Sequence, residues 1–203
     1  MKLYDSKTAP NPRRVRIFLA EKGIEIPTVQ VDIMAKQCQT PDFIARNPMQ
    51  QLPVLEFDDG ACLSESVAIC RYFEAAQPDP PLMGRNAREI GEIEMWNRRV
   101  EIHFLWPVTF AFRHTSPAMA ELQVPQVPAW GEANRGFVEQ ALAWLDGELA
   151  GRPYVAGQSF SIADITAICA AGFMRVMGRK LGDDTPNLLR WHERMAERPS
   201  FKA

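Results

Sequence analysis

The chain has 203 residues, 46% of them hydrophobic and 24% charged, with a formal net charge of −2. That is enough apolar material for one large domain or two small ones without metal or disulfide support. Mixed charges of near-equal number lack the basic stripe of a nucleic-acid surface, and no stretch is apolar over the length of a membrane span.

The opening residues, MKLYDSKTAP, hold no apolar h-region, so no secretory signal is expected. KLYD is a short strand candidate, and residues 12–22 place Val15, Phe18, Leu19 and Lys22 at helical spacing before Gly23, a natural stop. TVQVDI alternates and is β-branched, which reads as a strand; PDFIAR suits one or two helical turns. VLEFD and ACLS flank Asp59-Gly60, a hairpin turn signal, and SVAICRYFEAA comes next as a helix. The order β-α-β-α-β-β-α predicts a small mixed sheet with helices on its faces. Its first two strands, joined through a helix, pair in parallel.

QPDPPLMGR, residues 77–85, breaks this pattern and is the best linker candidate. The spacing assigns residues 1–78 to a first domain, 79–86 to a linker and 87–203 to an all-helical domain. A long helix is predicted over 87–114, with Ile93, Trp96, Val100 and His103 on one face and Pro107 expected to kink or end it. Residues 130–150 carry the stripe Val138, Ala141, Leu142, Leu145 and Leu149. SIADITAICAAGFMRVM and TPNLLRWHERMAERP read as two further helices. In FSIAD, Ser161 and Asp164 have capping-box spacing, and Phe160 and Ile165 that of a hydrophobic staple. Cys38, Cys62, Cys70 and Cys169 form no CxxC pair, and His103, His114 and His192 are scattered. Metal chemistry is not expected, and the cysteines read as buried small hydrophobes in a reducing compartment.

Four pieces in order carry a family resemblance: NPRRVRIFLAEKG, NPMQQLPVL, LSESVAI and FSIADI. Together they resemble the soluble, cytosolic-type glutathione S-transferases, bacterial members among them. The resemblance covers the whole chain. It implies a thioredoxin-like domain followed by a helical bundle, and an enzyme that joins glutathione to a small electrophilic molecule in detoxification. It further implies glutathione as co-substrate with no tightly bound cofactor, a cytoplasmic homodimer, and neither nucleic acid nor membrane as partner. A cis bond before Pro53 is implied, turning the N–H and C=O of Leu52 out to the cysteinyl backbone of glutathione. A trans proline opening an edge strand is the plain alternative.

Glu65 and Ser66 open a helix, where an acid suits an ammonium and a hydroxyl with free N–H groups suits a carboxylate. They match the γ-glutamyl end of glutathione; the same residues also suit an ordinary cap, with Ser64 or Ser66 capping and Glu65 complementing the dipole. For the glycine end the candidates are Gln51, Gln39 and Gln37, with Lys36 as a charged alternative. The thiolate is the nucleophile, and family members supply a tyrosine, serine or cysteine near the first strand–helix junction to form it. Here Ala9 and Pro10 stand where serine is common, and Asn11 where some bacterial members carry cysteine or asparagine. Asn11 is either a donor to sulfur or a helix cap before Pro12. Thr8 and Ser6 are the neighbouring candidates, Tyr4 reads as a packed strand aromatic, and Arg13 and Arg14 as solvated. Trp106, Phe110 and Arg113 are candidates for a second-substrate pocket. A disulfide reductase or peroxidase on the same scaffold, and a glutathione-binding module without catalysis, are the competing readings.

Overall fold

The computed structural model describes residues 1–203, whose contacts divide them into two units: Met1–Pro81 with Lys202–Ala203, and Leu82–Phe201. In the first, β1 (Lys2–Asp5) lies between β2 (Thr28–Gln30), its parallel neighbour, and β3 (Val54–Glu56), antiparallel to it; β4 (Cys62–Ser64) completes the order β2-β1-β3-β4. β2 stops at Gln30, short of the predicted Ile33. The Asp32 carboxylate accepts the N–H groups of Met34 and Ala35 at 2.8 and 3.0 Å, folding the chain into an Asx-type turn. β3 ends before Phe57 because the turn around Gly60, at φ 85°, has begun.

Two helices pack against each other in this unit. One is α1 (Pro10–Lys22), with Val15, Ile17 and Phe18 buried; the other is α3 (Ser66–Ala76), with Ile69, Cys70 and Phe73 buried. Gly23 closes α1 at φ 65°, a left-handed residue that lets Ile24 N–H reach Leu19 O at 2.9 Å. Their carboxyl ends are tied by a buried lysine: Lys22 Nζ reaches Glu74 Oε2 and the carbonyls of Gln77 and Pro80, each at 2.7 Å. The short helix α2 (Pro41–Arg46) contributes Phe43, which meets Tyr4 edge-on. Tyr4 is the packed strand aromatic its sequence suggests, with its hydroxyl donating to Glu56 at 2.8 Å. Glu56 also binds Lys2 and Arg46, and these three partners hold its carboxyl at about 2. Cys38, Cys70 and Cys169 are buried, but Cys62 is exposed, because it lies on the sheet's edge strand. That corrects the expectation of four buried thiols.

The second unit is helical, and no helix of the chain is long and apolar enough to cross a membrane. The long helix expected over 87–114 is α4 (Ala87–Val100), a π-helical turn (Glu101–Leu105) and α5 (Trp106–Thr115) in continuous succession. Pro107 offers no N–H to the carbonyl four residues before it, and the wider π turn covers that gap. The turn also shifts the helical phase. Trp96 and Val100 are buried, whereas His103, predicted on their face, is exposed. α6 (Pro128–Leu149) runs against α5, and at Gly131 there is no room for a side chain: a Cβ there would lie 2.5 Å from Thr115 Cγ2.

α7 (Ile162–Phe173) is buried along most of its length, and α8 (Pro186–Ala196) contributes the fully packed Trp191. Ser161 and Asp164 form the capping box that their spacing predicts. Asp164 does more than cap. Its carboxylate accepts from Ser161 N–H at 3.0 Å, Val155 N–H at 2.9 Å and Trp191 Nε1–H at 3.1 Å, and so joins three segments. Burial pushes its pKa up to about 6, against the pull of these donors. The folded protein therefore holds this proton more tightly than the unfolded chain. Stability from this group is fullest below the ordinary carboxylate pKa and declines as pH rises to about 6. Asp164→Ala strands three buried donors and is expected to cost about 3–5 kcal/mol, read from urea midpoints. Asp164→Asn is expected to remove the pH slope between about 4 and 6 while costing about 1–3 kcal/mol, since its amide nitrogen would face Ser161 N–H.

Candidate active site

The candidate residues of the first unit cluster on the segments that follow β1, precede β3 and follow β4. The peptide bond between Leu52 and Pro53 is cis, as the resemblance implies, and the Leu52 side chain is buried beside Tyr4, Phe43 and Val54. Neither the N–H nor the C=O of Leu52 bonds within the chain. The approach is set by Asn47, a buried residue at the end of α2. Its Nδ2 donates to Gln51 O at 2.8 Å and its Oδ1 accepts Met49 N–H at 3.1 Å. Sequence reasoning passes over Asn47, although an Asn-Pro pair is a turn-initiating signal. Gln51 and Gln39 are exposed, and Gln37 is held by Asp32 N–H at 2.7 Å.

After β4 the chain turns through Glu65, an exposed residue at φ 69° and ψ 115°. A non-glycine residue there costs on the order of 1–3 kcal/mol, and such outliers gather at functional sites. The simple capping reading fails here. Glu65 occupies the N-cap position without a side-chain cap, and Ser66 is already the first helical residue. The amides of Ser66, Val67 and Ala68 keep no partner in the chain, as the first turn of a helix leaves them. They face the positive end of the helix dipole, which favours an anion.

Beneath this turn lies Arg14, and its position is the main correction to the sequence reading. It is fully buried, where solvation is expected. Nη1 donates to Ser66 Oγ at 2.7 Å and reaches Asn11 Oδ1 at 3.5 Å, the outer limit of a hydrogen bond. Both side-chain oxygens thus turn inward to one guanidinium. The Ser66 hydroxyl proton and the Asn11 Nδ2 hydrogens are left to point elsewhere. Sequence separation hides this contact, because Arg14 and Ser66 are 52 residues apart.

The start of α1 settles where Asn11 stands. Ala9 is the N-cap, and Pro10, Asn11 and Pro12 are the first three helical residues, so Asn11 is inside the helix and caps nothing. Two prolines have no N–H, and Arg13 N–H is bonded to Ala9 O. Asn11 N–H is the one free amide of this turn. Ser6 is buried, Thr8 exposed, and neither hydroxyl is engaged with Asn11 or Arg14.

Residues 1–75 match the model of the glutathione S-transferase amino-terminal domain and residues 120–199 that of its carboxy-terminal domain. The chain belongs to the glutathione S-transferase family. It is 37% identical to glutathione S-transferase 2 of Saccharomyces cerevisiae over 100% of this chain and 88% of that protein. The crystal structure of Gtt2 from Saccharomyces cerevisiae superposes with a TM-score of 0.95 at 37% identity, covering 100% of this chain and 99% of that one. A Gtt2-class transferase of Vibrio parahaemolyticus gives a TM-score of 0.87 at 34% identity, over 100% of this chain and 96% of that one.

In the helical unit of this transferase, Trp106 and Phe110 border a cavity of about 670 Å³ with Trp130, Phe137 and Trp144. Arg113 is not among its lining residues; it is half-buried one turn on, and burial lowers its pKa. Of the three second-substrate candidates, the structure thus groups two and separates the third. Replacing the buried guanidinium under Ser66 tests whether it serves binding. Arg14→Met is expected to weaken glutathione by about 1–2 kcal/mol, roughly five- to thirtyfold in Kd, measured by calorimetry on protein whose circular dichroism matches the parent.

Proposed function

We propose that the protein binds glutathione in its amino-terminal unit and presents the thiolate to a small electrophile. One observation carries the reading: the unused Leu52 peptide stands in the same unit as the unused first-turn amides of α3, which lie above a buried guanidinium. In this reading the cysteinyl backbone of glutathione pairs with Leu52 as an added strand does. The γ-glutamyl carboxylate meets Ser66 and the α3 amides, its ammonium meets Glu65, and the glycine end lies toward Gln51, Gln39 and Lys36.

Thiol activation then falls to Asn11. A free thiol has a pKa of about 8.5, so near neutrality most glutathione is protonated. The Asn11 amide donor offers about 1 kcal/mol to a thiolate and the α1 terminus about 0.3–1 more, together lowering the pKa by roughly one to two units. Thr8 and Ser6 stay as alternates within one turn of it. Conjugation of an aryl halide decides the matter. Asn11→Ala is expected to leave glutathione affinity within about threefold and to lower kcat/KM near pH 7 about fivefold, with the pH profile displaced upward. An Asn11→Ala enzyme with the parent's profile removes this residue from the mechanism. No glutathione binding by the parent at millimolar concentration overturns the whole reading, and turnover of a mixed disulfide without conjugation assigns the reductase instead.

A homodimer belongs to the same reading. Its support is a run of exposed aromatics in the helical unit: Trp106, Trp130 and Phe137 are each 42–44% exposed, with Phe110 linking the two tryptophans at ring separations of 6.3 and 6.4 Å. A monomer seldom leaves such a patch in water. Sedimentation is expected to report a dimer, and Trp130→Glu to shift it toward monomer; a monomeric parent discards the proposal.

A further inference from the structure

The turn between β1 and α1 is held from behind by one side chain. Arg16, two turns into α1, sends Nη1 to Ser6 O and Nη2 to Lys7 O, both at 3.3 Å. The same guanidinium is ion-paired with Asp5, the last residue of β1, whose carboxylate is 1% exposed. Asp5 is fixed in turn by Gln30 of β2, whose Nε2 donates to Oδ2 at 2.6 Å. Ser6 O receives a second bond from Ala9 N–H at 3.2 Å, closing the turn onto the N-cap. Three consecutive residues of the junction are thus anchored by one planar group, a geometry that a guanidinium offers and an ammonium does not.

We propose that Arg16 is a positioning residue for thiol activation, keeping the carbonyls of Ser6 and Lys7 off the free N–H of Asn11. The inference rests on the glutathione reading above. The physical reason is the scarcity of donors at that helix end. With prolines at positions 10 and 12, Asn11 N–H is the single free amide. A peptide carbonyl that turned toward it would take that donor and bring partial negative charge to the place where a thiolate must form. Arg16 engages both oxygens, that of Lys7 by itself and that of Ser6 together with Ala9 N–H. Each peptide plane then sends its N–H, from Lys7 and Thr8, to the side opposite the guanidinium. Asp5 supplies the counter-charge that keeps Arg16 in place, and Gln30 fixes Asp5. No covalent step is assigned to any of the three.

The test separates positioning from both folding and binding. Arg16→Met removes the clamp, and Arg16→Lys keeps the charge and the Asp5 pair but cannot span both carbonyls. Calorimetry below pH 6 measures glutathione affinity with the thiol protonated, and ultraviolet titration of the bound thiolate gives its pKa. For Arg16→Met, affinity within about twofold of the parent is expected. The thiolate titration should move upward by about half a pH unit, and kcat/KM near neutrality should fall about two- to fivefold, the span of a helix-terminus charge effect. Arg16→Lys is expected between the two, and it decides the matter if Arg16→Met fails to fold. A folded variant with lost clamp, parental affinity and an unmoved thiolate titration overturns the proposal. Loss of glutathione affinity equal to the loss of rate does so too, since the residue then acts on binding. A parent that binds no glutathione defeats the underlying reading instead, a result distinct from either.

Discussion

The hydrogen bond from Arg14 to Ser66 joins the two helix starts on which the site is built. Burying a guanidinium costs several kcal/mol unless its protons are well used, and replacing such a group by a well-packed apolar one is often neutral or stabilising. Stability is therefore a poor account of why this one is here. Its position is a better one. It lies at the positive end of α3, where a cation is electrostatically the wrong sign for the helix. Helix end and guanidinium carry the same sign, and together they favour an anion at this turn. Glu65, exposed on the adjoining strained turn, adds a negative group, which in the proposed reading meets a zwitterion's other charge. This contact turns the Ser66 oxygen inward and leaves its hydroxyl proton to point elsewhere.

Around that contact the loops are braced in a common way. Each is held by a polar side chain withdrawn from water and bonded to backbone. Asn47 holds the approach to Leu52, Arg16 and Asp5 hold the turn before α1, and Lys22 ties the far ends of α1 and α3. Loops normally gain order from the elements they join; these gain it from side chains reaching back across the turn. The Leu52 peptide and the first-turn amides of α3 are among the backbone groups this arrangement leaves free. Gln50 at φ 56° and Glu65 at φ 69° carry the conformational cost of those turns; Gln50 lies two residues before Leu52, and Glu65 directly precedes the free amide of Ser66.

The parts of this arrangement that are legible in the sequence are those decided by local rules. α3 begins and ends where its pattern predicts, and the capping box of α7 is as written, because both are decided within four residues of chain. The Leu52-Pro53 and Glu65-Ser66 elements are legible through their order and spacing against a known family. The burial of Arg14 is not, since its partner is supplied by a helix 52 residues away and nothing local distinguishes it from Arg13. The placement of Asn11 is ambiguous for another reason. In APNP either proline can be the first helical residue, and the use of Pro10 moves Asn11 from cap to interior. His103 departs from its predicted face because a π turn, invisible to a 3.6-residue period, rotates the helix at that point. Asp164 has the spacing of a cap and is also the link to Trp191 and Val155, a role only tertiary structure discloses.

At the start of α1 the sequence removes donors instead of adding them, and the chemistry of the site changes accordingly. Most helix amino termini offer several amides to an anion. Here two prolines delete theirs while preserving the helix and its dipole, so the field remains and the competition for it narrows to Asn11. A hydroxyl at this point would add a donor of its own; the sequence offers a carboxamide whose oxygen is already turned toward Arg14. Such a site has little redundancy. In the proposed reading its effect on a thiol depends on backbone carbonyls staying off one free amide, a condition met by the side chains that brace the turn. On that reading the residues bracing the turn, and not only those lining the site, belong to its chemistry.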